Sequence, residues 1–247
     1  MKTIRIITFA ILSAILSFAT VSCQDEQVLY YNNMTMGNII NGQFISDQGN
    51  IFNVVDQTCV GELDKMNRAI MICDILNVTK GTDNEYDIRL NQLASVLSKE
   101  PVALENATGD IEVTNPIHIS EFWYSGGYLN FFIQVPRNPE NTEAKHLINL
   151  TYTSNQDGSY TFELRHNGFG DVYESGGAFA LGGGYVSFPI TNIITKDSAK
   201  LIIKWNWYEA DGYVWSNVEK EYTLEYDWKR GGYEQVPQLH TDTINQL

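Results

Sequence analysis

Short apolar runs, broken every dozen residues or so by turn-forming clusters, constrain this chain more than any other feature. Tyr86, Ile88 and Leu90 alternate with Asp87, Arg89 and Asn91, the period of a strand with one buried face. Further runs cover Asn38–Ser46, Ile51–Asp56 and Arg68–Val78. Asp47-Gln48-Gly49-Asn50 is a hairpin signal, and Lys80 to Asn84 reads as a loop. The stretch from Asn91 to Lys99 suits either a short helix or another strand. The 14 Tyr, 11 Phe and 5 Trp favour strands over a helical bundle. About five strands within about 70 residues fit a small curled barrel better than an open sheet. The sequence therefore predicts an all-β chain whose first folded part is a small curled barrel over 37–108.

The second half repeats the pattern with longer runs. Ile117–Tyr124 and Gly127–Val135 flank a Ser125-Gly126 turn, and His146–Thr153 and Tyr160–His166 flank Asn155-Gln156-Asp157-Gly158. Tyr185–Phe188 follows a glycine-dense stretch, and Leu201–Trp207 and Val218–Tyr226 flank Asp211-Gly212. Seven or eight such strands predict an immunoglobulin-like two-sheet sandwich over 109–228. The polar stretch Glu105–Asp110 is read as the boundary between the two parts. Residues 23–36 read as a tether, and the aperiodic 229–247 as a mobile tail.

The first 22 residues read as an address. Lys2 and Arg5 precede an apolar stretch from Ile6 to Ala19, interrupted by Thr8, Ser13 and Ser17. A membrane span needs about 20 apolar residues, so this one is short. Thr20-Val21-Ser22-Cys23 resembles a bacterial lipobox, although Leu is usual where Thr20 stands. Cys23 is thus the expected lipidation site, with cleavage by an ordinary signal peptidase as the alternative. Buried acyl chains contribute about 0.8 kcal/mol per CH₂, and two or more anchor stably. Asp25 and Glu26 follow at once and resemble the surface-export signal of Bacteroidetes-type lipoproteins. The expected location is the outer membrane, anchored by the N-terminal lipid and facing the exterior. The other two cysteines, Cys59 and Cys73, lie in apolar surroundings and fit either a disulfide or two buried thiols.

The order of several segments resembles the NigD-like lipoproteins. These are Gly127-Tyr128-Leu129-Asn130, His146-Leu147-Ile148-Asn149-Leu150, Glu163-Leu164-Arg165-His166-Asn167 with Asp171, Gly184-Tyr185-Val186-Ser187-Phe188 and Lys196-Asp197-Ser198. The resemblance covers nearly the whole chain after the leader. It implies an OB-type barrel followed by a β-sandwich, and a role in bacteriocin immunity has been suggested for the family. It implies no activity and no site residues.

Chemistry is sparse. Leu181-Gly182-Gly183-Gly184 lacks the Lys-Ser/Thr of a phosphate loop and reads as a flexible connection between strands. The four histidines are scattered, so no metal or cofactor is expected. Strand alternation puts Phe162, Leu164 and His166 on one face and Glu163 and Arg165 on the other. That makes His166 a strand-end histidine bonded to nearby backbone rather than a catalytic base, and no enzymatic activity is expected. With 16 basic and 30 acidic residues the formal charge is −14, which leaves no basic footprint for nucleic acid. The aromatics around Asp211-Gly212, namely Trp207, Tyr208, Tyr213 and Trp215, are the candidate binding residues, whereas Trp205 is expected in the core. They suit a surface protein-interaction module or, alternatively, a glycan-binding accessory lipoprotein, and the competing reading is that they pad the end of the sandwich and its packing against the barrel. Asp197-Ser198-Ala199 and Asp242-Thr243-Ile244 resemble O-glycosylation acceptors, which makes Ser198 and Thr243 candidate modification sites.

Overall fold

The computed structural model describes residues 29–141, 143–171, 180–211, 214–227 and 232–234. The first five strands are β1 (Leu29–Ile40), β2 (Gln43–Ser46), β3 (Ile51–Gln57), β4 (Arg68–Val78) and β5 (Glu85–Ser95). They close into a barrel in the order β1-β2-β3-β5-β4. Only the β3–β5 seam is parallel. This is the five-stranded arrangement of an OB-type barrel. The predicted alternation holds at its centre, where Ile88 and Leu90 are fully buried. They pack with Phe44, Phe52, Ala69, Met71 and Cys73. A large apolar side chain buried in this way contributes about 1.5–3 kcal/mol. The Asp47–Asn50 hairpin forms as expected, with Ser46 N–H donating to Asn50 O at 2.8 Å. Asn91–Ser95 continues β5 as strand, not helix. Cys59 and Cys73 are free thiols, and burial pushes the Cys73 thiol up to about 11.

β1 begins seven residues before the end of the stretch read as tether, a correction to that boundary. Its pairing with β4 shifts register between Tyr31 and Thr35. A bulge of this kind destroys the period-two pattern by which a strand is recognised.

The second part contains β8 (His118–Ser125), β9 (Tyr128–Arg137), β10 (Leu147–Ser154), β11 (Tyr160–Asn167), β12 (Ala180–Pro189), β13 (Ser198–Asp211) and β14 (Val214–Asp227). Three short strands join them: β6 (Leu97–Ser98), β7 (Val102–Ala103) and β15 (Gly232–Glu234). One sheet runs β14-β13-β11-β10-β7 and the other β15-β8-β9-β12-β6. Their inner faces meet in a core containing Phe122, Phe131, Phe162, Phe188, Leu150, Leu201 and Trp205. Three sequence expectations need correction here. The sandwich starts before the Glu105–Asp110 break, because β6 pairs with β12 and β7 with β10. That break is instead a pair of 3₁₀ turns, Leu104–Asn106 and Gly109–Ile111. Within the supposed tail, Gly232–Glu234 pairs with Phe122–Tyr124. Finally, Gly182–Gly184 lies inside β12, where a Cβ on Gly183 would sit 2.7 Å from the Ile133 carbonyl oxygen. Glycine serves close approach to β9 there rather than flexibility.

Barrel and sandwich share a buried polar latch centred on Arg68, which is 1% exposed. Its Nε donates to Ser187 Oγ at 3.0 Å. One terminal nitrogen donates to Asn38 Oδ1 at 3.0 Å and Asp47 Oδ1 at 2.8 Å. The other donates to Asp47 Oδ2 at 2.7 Å and Asn130 Oδ1 at 2.9 Å. All five guanidinium donors are thereby used. The guanidinium carbon also lies 3.9 Å from the centroid of the Tyr128 ring. Ser125 Oγ donates to Asp47 Oδ2 at 2.5 Å, and Ser187 Oγ to Asn130 Oδ1 at 2.6 Å. Asn38, Asp47 and Arg68 come from the barrel; Ser125, Tyr128, Asn130 and Ser187 come from the sandwich. Gly126 (φ 56°) tips the β8–β9 hairpin onto Asp47, where any Cβ would strike the carboxylate. Met36, Ile70 and Val96 of the barrel side pack beside the latch against Trp123 and Tyr185 of the sandwich.

Candidate functional site

The latch fixes one end of the sandwich. The opposite end gathers the groups with chemical character. There Ile117 N–H donates to Asn206 O at 2.8 Å and Asn115 N–H to His166 O at 2.8 Å. Asn138 N–H donates to Asp171 Oδ1 at 2.6 Å. The start of β8, the end of β9, the end of β11 and the far half of β13 thus converge.

At their centre is a chain of hydrogen bonds that the sequence did not reveal. His166 Nδ1 lies 2.9 Å from Pro116 O, a pure acceptor, so the proton sits on Nδ1. His166 Nε2 therefore accepts, and His146 Nδ1–H donates to it at 2.8 Å. The two rings stack at 5.1 Å between centroids. His146 Nε2 lies 3.2 Å from Asp171 Oδ2, which extends the chain to the far end of the neighbouring turn. Burial pushes His166 down to about 4, so its ring stays neutral. The order of groups looks like a proton relay, but it ends on a backbone carbonyl. That oxygen has no proton to surrender, so the chain activates no nucleophile. It ties the segment entering β10 to the Gly168–Asp171 turn. Among the described residues no group of three or more His, Cys, Asp or Glu is placed to hold a metal ion.

The same turn exposes one aromatic side chain. Phe169 is 55% exposed and sits at φ 50°, which a bulky residue rarely adopts. Its N–H donates to Asn167 Oδ1 at 2.9 Å. Gly168 N–H donates to Asn115 Oδ1 at 2.9 Å, and Asn167 Nδ2 to Asp110 Oδ1 at 3.2 Å.

Two of the four aromatic candidates take the packing role rather than forming a binding platform. Trp207 is 5% and Tyr208 9% exposed, and both belong to the sandwich core. β13 and β14 pair four residues beyond Trp207, out to Asp211 opposite Val214, so the hairpin tip is farther away than the sequence suggested. His118 of the opposite sheet covers Trp207, with ring centroids 5.1 Å apart. Burial lowers the His118 pKa. Trp205 is core, as its parity implies. Trp215 falls in β14 opposite Ala210, and Tyr213 lies outside the described residues. Ser198 is the exposed first residue of β13, opposite Asp227. Cys23, Asp25, Glu26 and Thr243 lie outside the described residues. Glu163 and Arg165 share the outer face of β11 at 2.6 Å, while His166 points inward. Sequence spacing gave no hint of the His146–His166 contact or of the Arg68 latch. Both join residues distant in the chain, and neither leaves a local pattern.

An OB-type barrel locked onto a β-sandwich defines a two-domain all-β class. The profile of the NigD-like C-terminal beta sandwich domain matches residues 100–226, more than half of the chain. The chain belongs to that family. No curated protein matches it. Among solved structures, a protein of unknown function from Bacteroides vulgatus is 22% identical with a TM-score of 0.56, covering 87% of this chain and 99% of its own. A NigD-like immunity protein from Bacteroides caccae is 16% identical with a TM-score of 0.57, covering 80% and 98%. A candidate lipoprotein from Bacteroides fragilis is 17% identical with a TM-score of 0.53, covering 80% and 97%. At these identities the likeness speaks for the fold.

Proposed function

We propose that this protein is a lipid-anchored protein of the outer membrane, displayed at the cell surface, that works by binding another protein, in the manner of an immunity factor. The observation that carries the anchoring is Cys23 at the end of an apolar leader, followed by Asp25 and Glu26. Family membership and the fold shared with a NigD-like immunity protein and a candidate lipoprotein support the reading. Binding rather than catalysis is supported by the histidine chain, which ends on the carbonyl of Pro116. Burial of Trp207 and Tyr208 withdraws two of the four platforms on which a glycan-binding alternative rests. The acidic charge weighs against nucleic acid. Ser198 is exposed and suits O-glycosylation.

Labelled fatty acid, surface proteolysis and affinity capture test the proposal. Cys23→Ala abolishes label incorporation. Replacing Asp25 and Glu26 with Ala lowers protease accessibility on intact cells at constant membrane-bound protein. The anchored chain captures a defined envelope or toxin protein, and free polysaccharide does not compete. Label in Cys23→Ala refutes the anchor, unchanged accessibility refutes the export signal, and competition by one polysaccharide refutes the protein-partner reading. A sugar increment in intact mass that disappears in Ser198→Ala or Thr243→Ala places the modification, and its absence removes it.

A further inference from the structure

The geometry of the histidine chain fixes its proton balance. Three hydrogen bonds run in series: Pro116 O with His166 Nδ1 at 2.9 Å, His166 Nε2 with His146 Nδ1 at 2.8 Å, and His146 Nε2 with Asp171 Oδ2 at 3.2 Å. Each needs one proton between its heavy atoms. Pro116 O has none to give, and two neutral imidazoles bring one each. Two protons cannot fill three bonds. Without a third, two lone pairs meet, either His146 Nε2 against the Asp171 carboxylate or ring nitrogen against ring nitrogen. The count is the same whichever ring carries the charge.

The surroundings make that mismatch costly. The side chains of His146 and Asp171 are 14% and 5% exposed, and His166 is fully buried, so little water reaches an odd lone pair. Asp171 Oδ1 is already taken by Asn138 N–H from the end of β9. The entry to β8 brings only neutral groups, Pro116 O and Asn115 N–H. Other charged and titratable groups of these elements are engaged elsewhere. Arg165 pairs with Glu163 on the outer face of β11, Asp110 accepts from Asn167 Nδ2, and Arg137 lies across Gly182. His118 packs on Trp207, and Lys145 is exposed. Burial is the main cause that keeps His166 neutral; the charge of His146 adds to it and that of Asp171 opposes it. The third proton therefore belongs to the His146–Asp171 pair, as in coupled groups that titrate together. That pair ties the entry to β10 to a turn in which Phe169 sits at φ 50°. Strain of this kind persists only while its surroundings hold it.

We infer that His146, His166 and Asp171 form a proton-dependent clasp, which keeps the Gly168–Asp171 turn closed only while it holds one proton beyond two neutral rings and a carboxylate. In the opened turn the pair meets water, where a histidine is neutral above about pH 6.5 and a carboxylate is ionised. Closing therefore takes up a proton above that pH, and the closed turn weakens as pH rises. The clasp goes beyond the binding reading above and does not depend on it.

The test follows amide exchange of the full-length chain in detergent micelles from pH 6 to 9, corrected for the intrinsic rise of exchange with pH. Protection of the Asn138 and Asp171 amides is expected to fall by about tenfold or more, as the loss of one bound proton requires, while the core amide of Leu150 holds level. Asp171→Asn supplies an N–H to His146 Nε2 and keeps an oxygen for Asn138, so its chain is complete without the added proton. Its protection is expected to change by less than about twofold. Nitrogen and carbon NMR of the parent chain at pH 7 reads the proton itself, as a doubly protonated His146 ring or a protonated Asp171 carboxyl. A flat parent profile, an equal slope in Asp171→Asn, or a neutral His146 ring beside an ionised Asp171 overturns the inference. The NMR reading decides it even where Asp171→Asn fails to fold.

Discussion

Replacing Arg68 by Met removes a buried cation while keeping much of its length. Arg68 is 1% exposed, and its five donors satisfy Asn38, Asp47, Asn130 and Ser187. The Asp47 side chain, 2% exposed, is then left with Ser125 Oγ and without its counter-charge. Removing one partner of a buried ion pair costs about 3–5 kcal/mol, because the remaining charge stays desolvated. Against a typical stability of about 5–15 kcal/mol that is a large fraction. With a urea slope of about 2–3 kcal/mol/M, the midpoint falls by about 1–2 M. Asp47→Asn keeps the shape and strands the guanidinium instead. The double variant strands neither charge, so its cost is expected to fall at least about 2 kcal/mol short of the sum of the singles. Arg68→Lys keeps the charge but gives up the planar fork and its place over Tyr128, and is expected to cost about 2 kcal/mol. Urea denaturation followed by fluorescence measures all four. An Arg68→Met cost below about 1 kcal/mol, or additivity within about 0.5 kcal/mol, refutes the view that one coupled polar cluster joins the domains.

His166 predicts a pH dependence. Its folded value of about 4 lies below the ordinary histidine value of 6.5, so the unfolded chain binds the extra proton first. The contribution is intact above pH 6.5 and is lost as pH falls toward 4, by about 3 kcal/mol. His166→Gln should flatten urea stability across that window relative to the parent chain, and an unchanged slope counts against the assignment. Trp207→Ala, now a core truncation, is expected to cost about 3–5 kcal/mol; a cost under about 1 kcal/mol in the same assay would return Trp207 to the surface. Phe169→Gly relieves a left-handed backbone and is expected to stabilise by about 0.5–1 kcal/mol, read as a raised midpoint. Destabilisation would mean that the Phe169 side chain contributes more by packing than its conformation costs.

The sequence by itself determined the all-β class, the barrel-then-sandwich order and the principal hairpins. These rest on local physics: alternation at Tyr86–Leu90 buries one face, and Asp47–Asn50 or Asn155–Gly158 turns the chain within four residues. The inward placement of His166 and Trp205 was legible for the same reason, since parity along a strand is local. Parity failed where geometry departs from the simple strand. The irregular register between Tyr31 and Thr35 hid the start of β1, and the four further pairs beyond Trp207 buried two aromatics that sequence placed near a loop tip. Only tertiary structure decided that Leu97–Ala103 belongs to the sandwich, that His146 meets His166, and that Arg68 finds acceptors from both domains. Each depends on residues tens of positions apart. Pairing across such distances is set by which buried polar groups must be satisfied once the cores have formed, and that requirement has no period in the chain.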